Sequence, residues 1–89
     1  MKTVKIIIKG KVQGVFYRAT AKEVADKLDL KGLVQNTEDG NVEVVATGNE
    51  NKLGEFIEWC WKGPSRAKVS DVVLTEEPFT AYDKFAVIR

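Results

Sequence analysis

The sequence predicts an α+β sandwich in which two helices cover one face of a mostly antiparallel sheet. Three observations carry this. Short β-branched runs alternate with two stretches of helical periodicity. The breaks between most of them carry turn or helix-stop residues such as Gly10, Asp39-Gly40 and Gly63-Pro64. With 89 residues and 44% hydrophobic content, the chain can bury one modest core, so a single domain spanning residues 1–89 is expected.

Thr3 to Lys9 reads TVKIIIK and stops at Gly10, which predicts a first strand. In YRATAKEVADKL, Tyr17, Ala21, Val24 and Leu28 recur at helical spacing, so a helix follows. Leu30 to Asn36 is a short second strand. Asp39-Gly40 within EDGN signals a hairpin turn into a third strand, Asn41 to Gly48. A second helix runs from Glu50 to Lys62 with Leu53, Phe56, Ile57 and Cys60 as its apolar stripe. Gly63 followed by Pro64 ends it. Lys68 to Thr75 is a fourth strand and Lys84 to Ile88 a short fifth. The order is βαββαβ plus an extra C-terminal strand, which is a ferredoxin-like arrangement. That arrangement hosts many functions and selects none.

Composition narrows the chemistry. The net charge of +1 gives no global case for nucleic acid or an anionic membrane. No apolar run approaches the roughly 20 residues of a membrane span. The start alternates like a strand and lacks the apolar core of a signal peptide. One cysteine excludes an internal disulfide. A cytoplasmic, monomeric protein is the expectation. The chain has no histidine, which removes His-based general bases, Ser-His or Cys-His nucleophiles and most zinc sites.

The stretch GKVQGVFYR, Gly10 to Arg18, stands out. A strand that leaves through a glycine-containing loop into a helix start gathers backbone N–H groups at the positive end of a helix dipole, an arrangement suited to an anion. Arg18 falls in the first helical turn, where a cation is unfavourable unless it meets an anion. A guanidinium grips phosphate with two parallel bonds. Lys2, Lys5, Lys9, Lys11 and Arg18 precede the first acid, Glu23, so a positive local field is expected. Strands 1 and 2 are joined by a helix and run the same way, which brings the loop and Asn36 to one edge of the sheet. On loop shape alone, a plain strand-to-helix connection with a solvated Arg18 explains the segment equally well.

The motifs then resemble the acylphosphatase family. Its G-x-V-Q-G-V loop, aromatic pair and Arg match Gly10 to Arg18. Its V-x-N matches Val34-Gln35-Asn36, its D-G-x-V-E matches Asp39 to Glu43, and its G-P-x-x-A-x-V matches Gly63 to Val69. Departures are Tyr17 where Phe is usual, Leu33 where Trp is common and Gln35 where a basic residue is common. The last is expected to weaken attraction of an anionic substrate. The resemblance implies metal-free hydrolysis of the carboxyl–phosphate bond of small acyl phosphates, with no cofactor. It implies catalytic roles for Arg18 and Asn36 and phosphate binding by the loop amides of Val12, Gln13, Gly14, Val15, Phe16 and Tyr17.

The chemistry tolerates the missing histidine. Phosphoryl transfer passes through a loose transition state, so positioning and charge stabilisation dominate. The leaving carboxylate has a conjugate acid of pKa about 4 and needs no general acid. A neutral amide such as Asn36 can hold the attacking water. Because the loop grips only the phosphoryl group, broad acyl specificity is expected. Cys60, on an apolar stripe, reads as an inert core thiol. Trp59 and Trp61 read as cover for the sheet edge or surface. Glu38-Asp39 and Glu76-Glu77 read as solvated pairs. Asn36 by itself reads as a turn residue. An RNA-binding module of the same order would need exposed aromatics on strands 1 and 3, which have none. A non-catalytic phosphate-binding or sensor module remains the alternative. The related carbamoyl-processing proteins, which carry such a domain at their start, would need more than 89 residues.

Overall fold

The computed structural model describes residues Met1–Arg89. Its elements are β1 (Lys2–Lys11), α1 (Tyr17–Lys27), β2 (Lys31–Asn36), β3 (Val42–Gly48), α2 (Glu50–Lys62), β4 (Lys68–Glu77) and β5 (Phe85–Ile88). The ferredoxin-like α+β architecture is as the sequence predicts. β1 and β4 run longer than expected because each pairs with the other along almost its whole length, from Thr3 opposite Glu77 to Lys11 opposite Lys68. β2 starts one residue late because Asp29 turns through a left-handed conformation (φ 57°) after α1.

The five strands lie in the order β4-β1-β3-β2-β5. All pairs are antiparallel except β2 with β5, which is parallel. Antiparallel pairing of β3 with both β1 and β2 makes β1 and β2 parallel to each other. Their C-terminal ends therefore share one edge of the sheet.

Alternation decides which side chains reach the core. Val4, Ile6 and Ile8 of β1, and Val42, Val44 and Ala46 of β3, are buried beneath the helices with Val34, Val72 and Phe85. From α1 come Tyr17, Ala21 and Ala25, and from α2 Leu53, Phe56 and Cys60. Phe56 is fully buried and meets Phe85 edge-on at 6.1 Å and Trp59 at 6.0 Å. Truncating it to alanine would cost about 3–5 kcal/mol. The caps of α2 follow its sequence. The Asn49 side chain accepts from the Asn51 N–H at 2.8 Å, and the Gly63 N–H donates to Trp59 O at 2.7 Å.

β4 and β5 are opposite edges of the sheet, so the segment between them must cross it. Thr80 anchors that crossing. Its N–H donates to Thr3 Oγ1, the Thr47 hydroxyl donates to its carbonyl at 2.7 Å, and the Thr3 and Thr47 hydroxyls share a 2.6 Å hydrogen bond. The crossing fixes the direction of β5 and carries the chain's last residues to the edge where β2 ends.

Candidate active site

β1 does not run straight into the loop. Its pairing with β4 shifts register between Lys9 and Gly10, a bulge that bends the strand end. Gly10 has φ 121°, and a Cβ there would lie 2.2 Å from Lys68 O, so only glycine fits. Beyond the bulge, Val12, Val15 and Tyr17 are buried and pin the loop to the core. Gly14 (φ 74°) and Phe16 (φ 64°) both take left-handed conformations and sit on the exposed side. The loop is thus held from below by apolar anchors while its backbone winds around open space.

That winding leaves N–H groups free. Outside the helices and strands, no backbone hydrogen bond uses an N–H between Gln13 and Ala19. Phe16 occupies the N-cap of α1 without a side-chain cap, and no acid lies in the first turn. A helix start without its usual cap, joined to a loop of unused donors, is an arrangement suited to an anion.

Tyr17 is held differently from what a binding role for its side chain would require. Its ring packs on Trp59 at 5.1 Å and its hydroxyl donates to Cys60 O at 2.7 Å. Burial pushes the phenol well above its ordinary range. Burial likewise pushes the Cys60 thiol up to about 12, which accords with an inert core residue. Trp59 is half-buried over Tyr17, whereas Trp61 is half-exposed at the surface.

Gln13 links the loop to the second half of the site. Its amide donates to Thr37 O at 2.9 Å and to Asn41 O at 2.7 Å. Thr37 to Asn41 form the β2–β3 connection, in which Gly40 N–H donates to Thr37 O at 3.3 Å and Thr37 N–H to Asn41 O at 2.9 Å. Asp39-Gly40 thus closes a four-residue turn from Thr37, followed by Asn41, a longer hairpin loop than a two-residue turn. The Thr37 hydroxyl donates to the Asp39 carboxylate, which holds that carboxyl below its ordinary range. Asn36 is the last residue of β2, directly before this braced turn.

Arg18 and Asn36 line one cleft of about 390 Å³, together with Val12, Gly14, Phe16, Tyr17, Ala19, Val87 and Arg89. Of the residues singled out in the sequence, Gln13 and Val15 do not line it: Gln13 braces the hairpin and Val15 is buried. Arg18 is not a freely solvated side chain. One guanidinium nitrogen donates to Ile88 O at 3.0 Å, which leaves further N–H groups for a ligand. Val87 and Arg89 were not foreseen. Their only sequence signal is the fifth strand, and its direction depends on the crossing of the sheet.

The positive field is narrower than the run of lysines implies. Lys2 lies at the far end of β1, against Glu50 at 3.0 Å and Glu76 at 3.9 Å. Its ammonium is held above its ordinary range mainly by the hydrogen bond to Glu50. Lys9 borders the surface that carries Asp39. Gln35, which stands where a basic residue is common in the resembled family, donates to Glu43 at 3.3 Å on the open sheet face. The cations that line the cleft are Arg18 and Arg89.

The model of the acylphosphatase family matches residues 4–87. The chain belongs to the acylphosphatase family. It is 41% identical to an acylphosphatase of Methylococcus capsulatus, over 100% of this chain and 98% of that one. It superposes on the crystal structure of the acylphosphatase from Bacillus subtilis with a TM-score of 0.96, at 38% identity and full coverage of both chains. Full-length HypF, crystallised in a phosphate- and nucleotide-bound form, contains the same fold. There the match has a TM-score of 0.83 and 28% identity and covers 99% of this chain but 12% of that one. No helix is long and apolar enough to cross a membrane.

Proposed function

We propose that this acylphosphatase-family chain hydrolyses small acyl phosphates with the Arg18 cleft as its active site. The observation that carries the proposal is the convergence, on one cleft, of Arg18, a helix start with unused N–H donors, and Asn36. The phosphoryl oxygens are held by Arg18 and by the amides of the loop residues that line the cleft, Val12, Gly14, Phe16 and Tyr17. Asn36 accepts from and donates to the attacking water and aligns it with the P–O bond.

The water oxygen bonds to phosphorus as the phosphorus–acyl oxygen bond breaks. The bonding pair leaves with the carboxylate, and the water proton passes to a phosphoryl oxygen. Charge spreads over the phosphoryl oxygens in the transition state, and fixed N–H donors stabilise it there without reorganising. Each such donor typically contributes about 10²–10³ in rate, and Arg18 more because it carries full charge. No step calls on a metal or a protein base. We also infer a monomer in the cytosol, where the single free, buried cysteine would stay reduced.

The test follows benzoyl phosphate hydrolysis by absorbance, with EDTA present, for wild type, Arg18→Ala and Asn36→Ala, with circular dichroism as the folding check. Fast wild-type turnover that collapses in both folded variants is the expected result. Phosphate binding at Arg18 without turnover would replace the hydrolase by a phosphate sensor. A pH–rate profile set by a titrating protein group would refute the base-free mechanism.

A further inference from the structure

The phosphoryl cradle accounts for only part of the cleft. A phosphoryl group displaces about three waters, roughly 90 Å³, against a cleft of about 390 Å³. The remaining lining is largely apolar: Phe16, Ala19 and Val87 stand beside the two arginines. Phe16 is the anomaly among them. It is a large aromatic left 75% exposed, and its backbone sits at φ 64° and ψ 22°, the left-handed region where a bulky side chain is disfavoured. Glycine or asparagine would relieve that conformation. Its ring contributes nothing to the core cluster, which draws on Val12, Val15 and Tyr17 from the same loop.

From this placement we infer that Phe16 is the acyl-recognition residue of the cleft, and that the preferred substrates carry an aromatic or extended apolar acyl group. The inference rests on the hydrolase reading above. It replaces the expectation that the acyl end goes unread. The ring stands free on the lip of the cleft next to the amides that hold the phosphoryl group, so an acyl group leaving the cradle can lie against it. Covering roughly 40–55 Å² of apolar surface corresponds to a preference of about 5- to 10-fold. A two-carbon acyl group covers too little of the ring to gain it.

The test compares kcat/KM for benzoyl phosphate and acetyl phosphate in wild type, Phe16→Asn and Phe16→Gly, with inhibition by inorganic phosphate measured alongside. Phe16→Asn keeps a residue that tolerates the left-handed backbone and removes the ring, so the cradle survives. The expected result is an about 5- to 10-fold fall in the benzoyl-to-acetyl ratio of kcat/KM in both variants, over and above any change the two substrates share through the loop backbone at Phe16. An unchanged ratio of the two substrates overturns the inference, as does an equal fall on both, which would make Phe16 a structural part of the loop. Wild type that hydrolyses neither compound overturns the hydrolase reading itself.

Discussion

Replacing Gln13 by methionine would separate the two halves of the site while leaving their residues in place. The change keeps the side chain's length and removes both donors, to Thr37 O at 2.9 Å and Asn41 O at 2.7 Å. Two magnitudes compete. An acceptor left buried and unpaired costs about 1–3 kcal/mol, whereas a bond whose loss leaves both ends satisfied costs about 0.5–1.5 kcal/mol net. Here both acceptors keep a partner: Thr37 O still receives the Gly40 N–H and Asn41 O the Thr37 N–H. The smaller figure applies twice, so destabilisation should be about 1–3 kcal/mol. Urea unfolding followed by circular dichroism should then show a midpoint about 1 M or more lower with an unchanged slope. The catalytic effect should be larger in proportion. Asn36 directly precedes the turn that Gln13 braces, and a displacement of about 1 Å can cost up to 10²-fold. A kcat lowered about 10- to 100-fold, with phosphate inhibition changed far less, is the expected pattern. Reduced stability with intact kcat would refute the positioning argument, and an unchanged midpoint would refute the bracing itself.

Three further outcomes follow from other parts of the structure. Arg18→Ala should lose more than about 10²–10³ in kcat/KM yet shift folding stability by less than about 1 kcal/mol, because the lost bond to Ile88 O offsets removal of a cation from a helix N-terminus; paired kinetics and urea titrations check this. Cys60 in the folded state holds its proton up to about 12 against an ordinary value of 9.0. Above pH 9 the unfolded chain releases a proton that the folded chain keeps, so stability should fall with rising pH, by up to about 1.4 kcal/mol per unit. Urea midpoints at pH 8, 9 and 10 should show a shallower fall in Cys60→Ala than in wild type. Gly10→Ala should cost at least about 3 kcal/mol, since its Cβ would meet the Lys68 carbonyl at 2.2 Å on a backbone that disfavours side chains; a thermal melt measures it.

Much of the fold was legible because local signals agreed with it. The apolar stripe of α2, its start at Glu50 and its Gly63-Pro64 stop lie where the sequence puts them, and every predicted strand exists. The meeting of the Gly10–Arg18 loop with Asn36 followed from strand direction alone. What escaped depended on distance. The Gly10 bulge answers to a carbonyl on β4, and the lengthening of β1 answers to its pairing with the same strand. Val87 and Arg89 reach the cleft only because the Thr80 anchor turns the chain back across the sheet. The lysine run misled for a related reason: it counted charges along the chain, while Lys2 sits at the other end of a ten-residue strand beside two carboxylates.

The position of β1 between β3 and β4 governs how the molecule is assembled in time. Thr3 must find Thr47 on one side and Glu77 on the other, and Arg18 closes on a carbonyl 70 residues away. Few of these pairings are local, so loop closure comes before reward, and folding should proceed on the millisecond-to-second scale rather than in microseconds. Helix content should return first during refolding. Turnover should return last, once the final strand has docked and Arg18 has gained the partner that aims it.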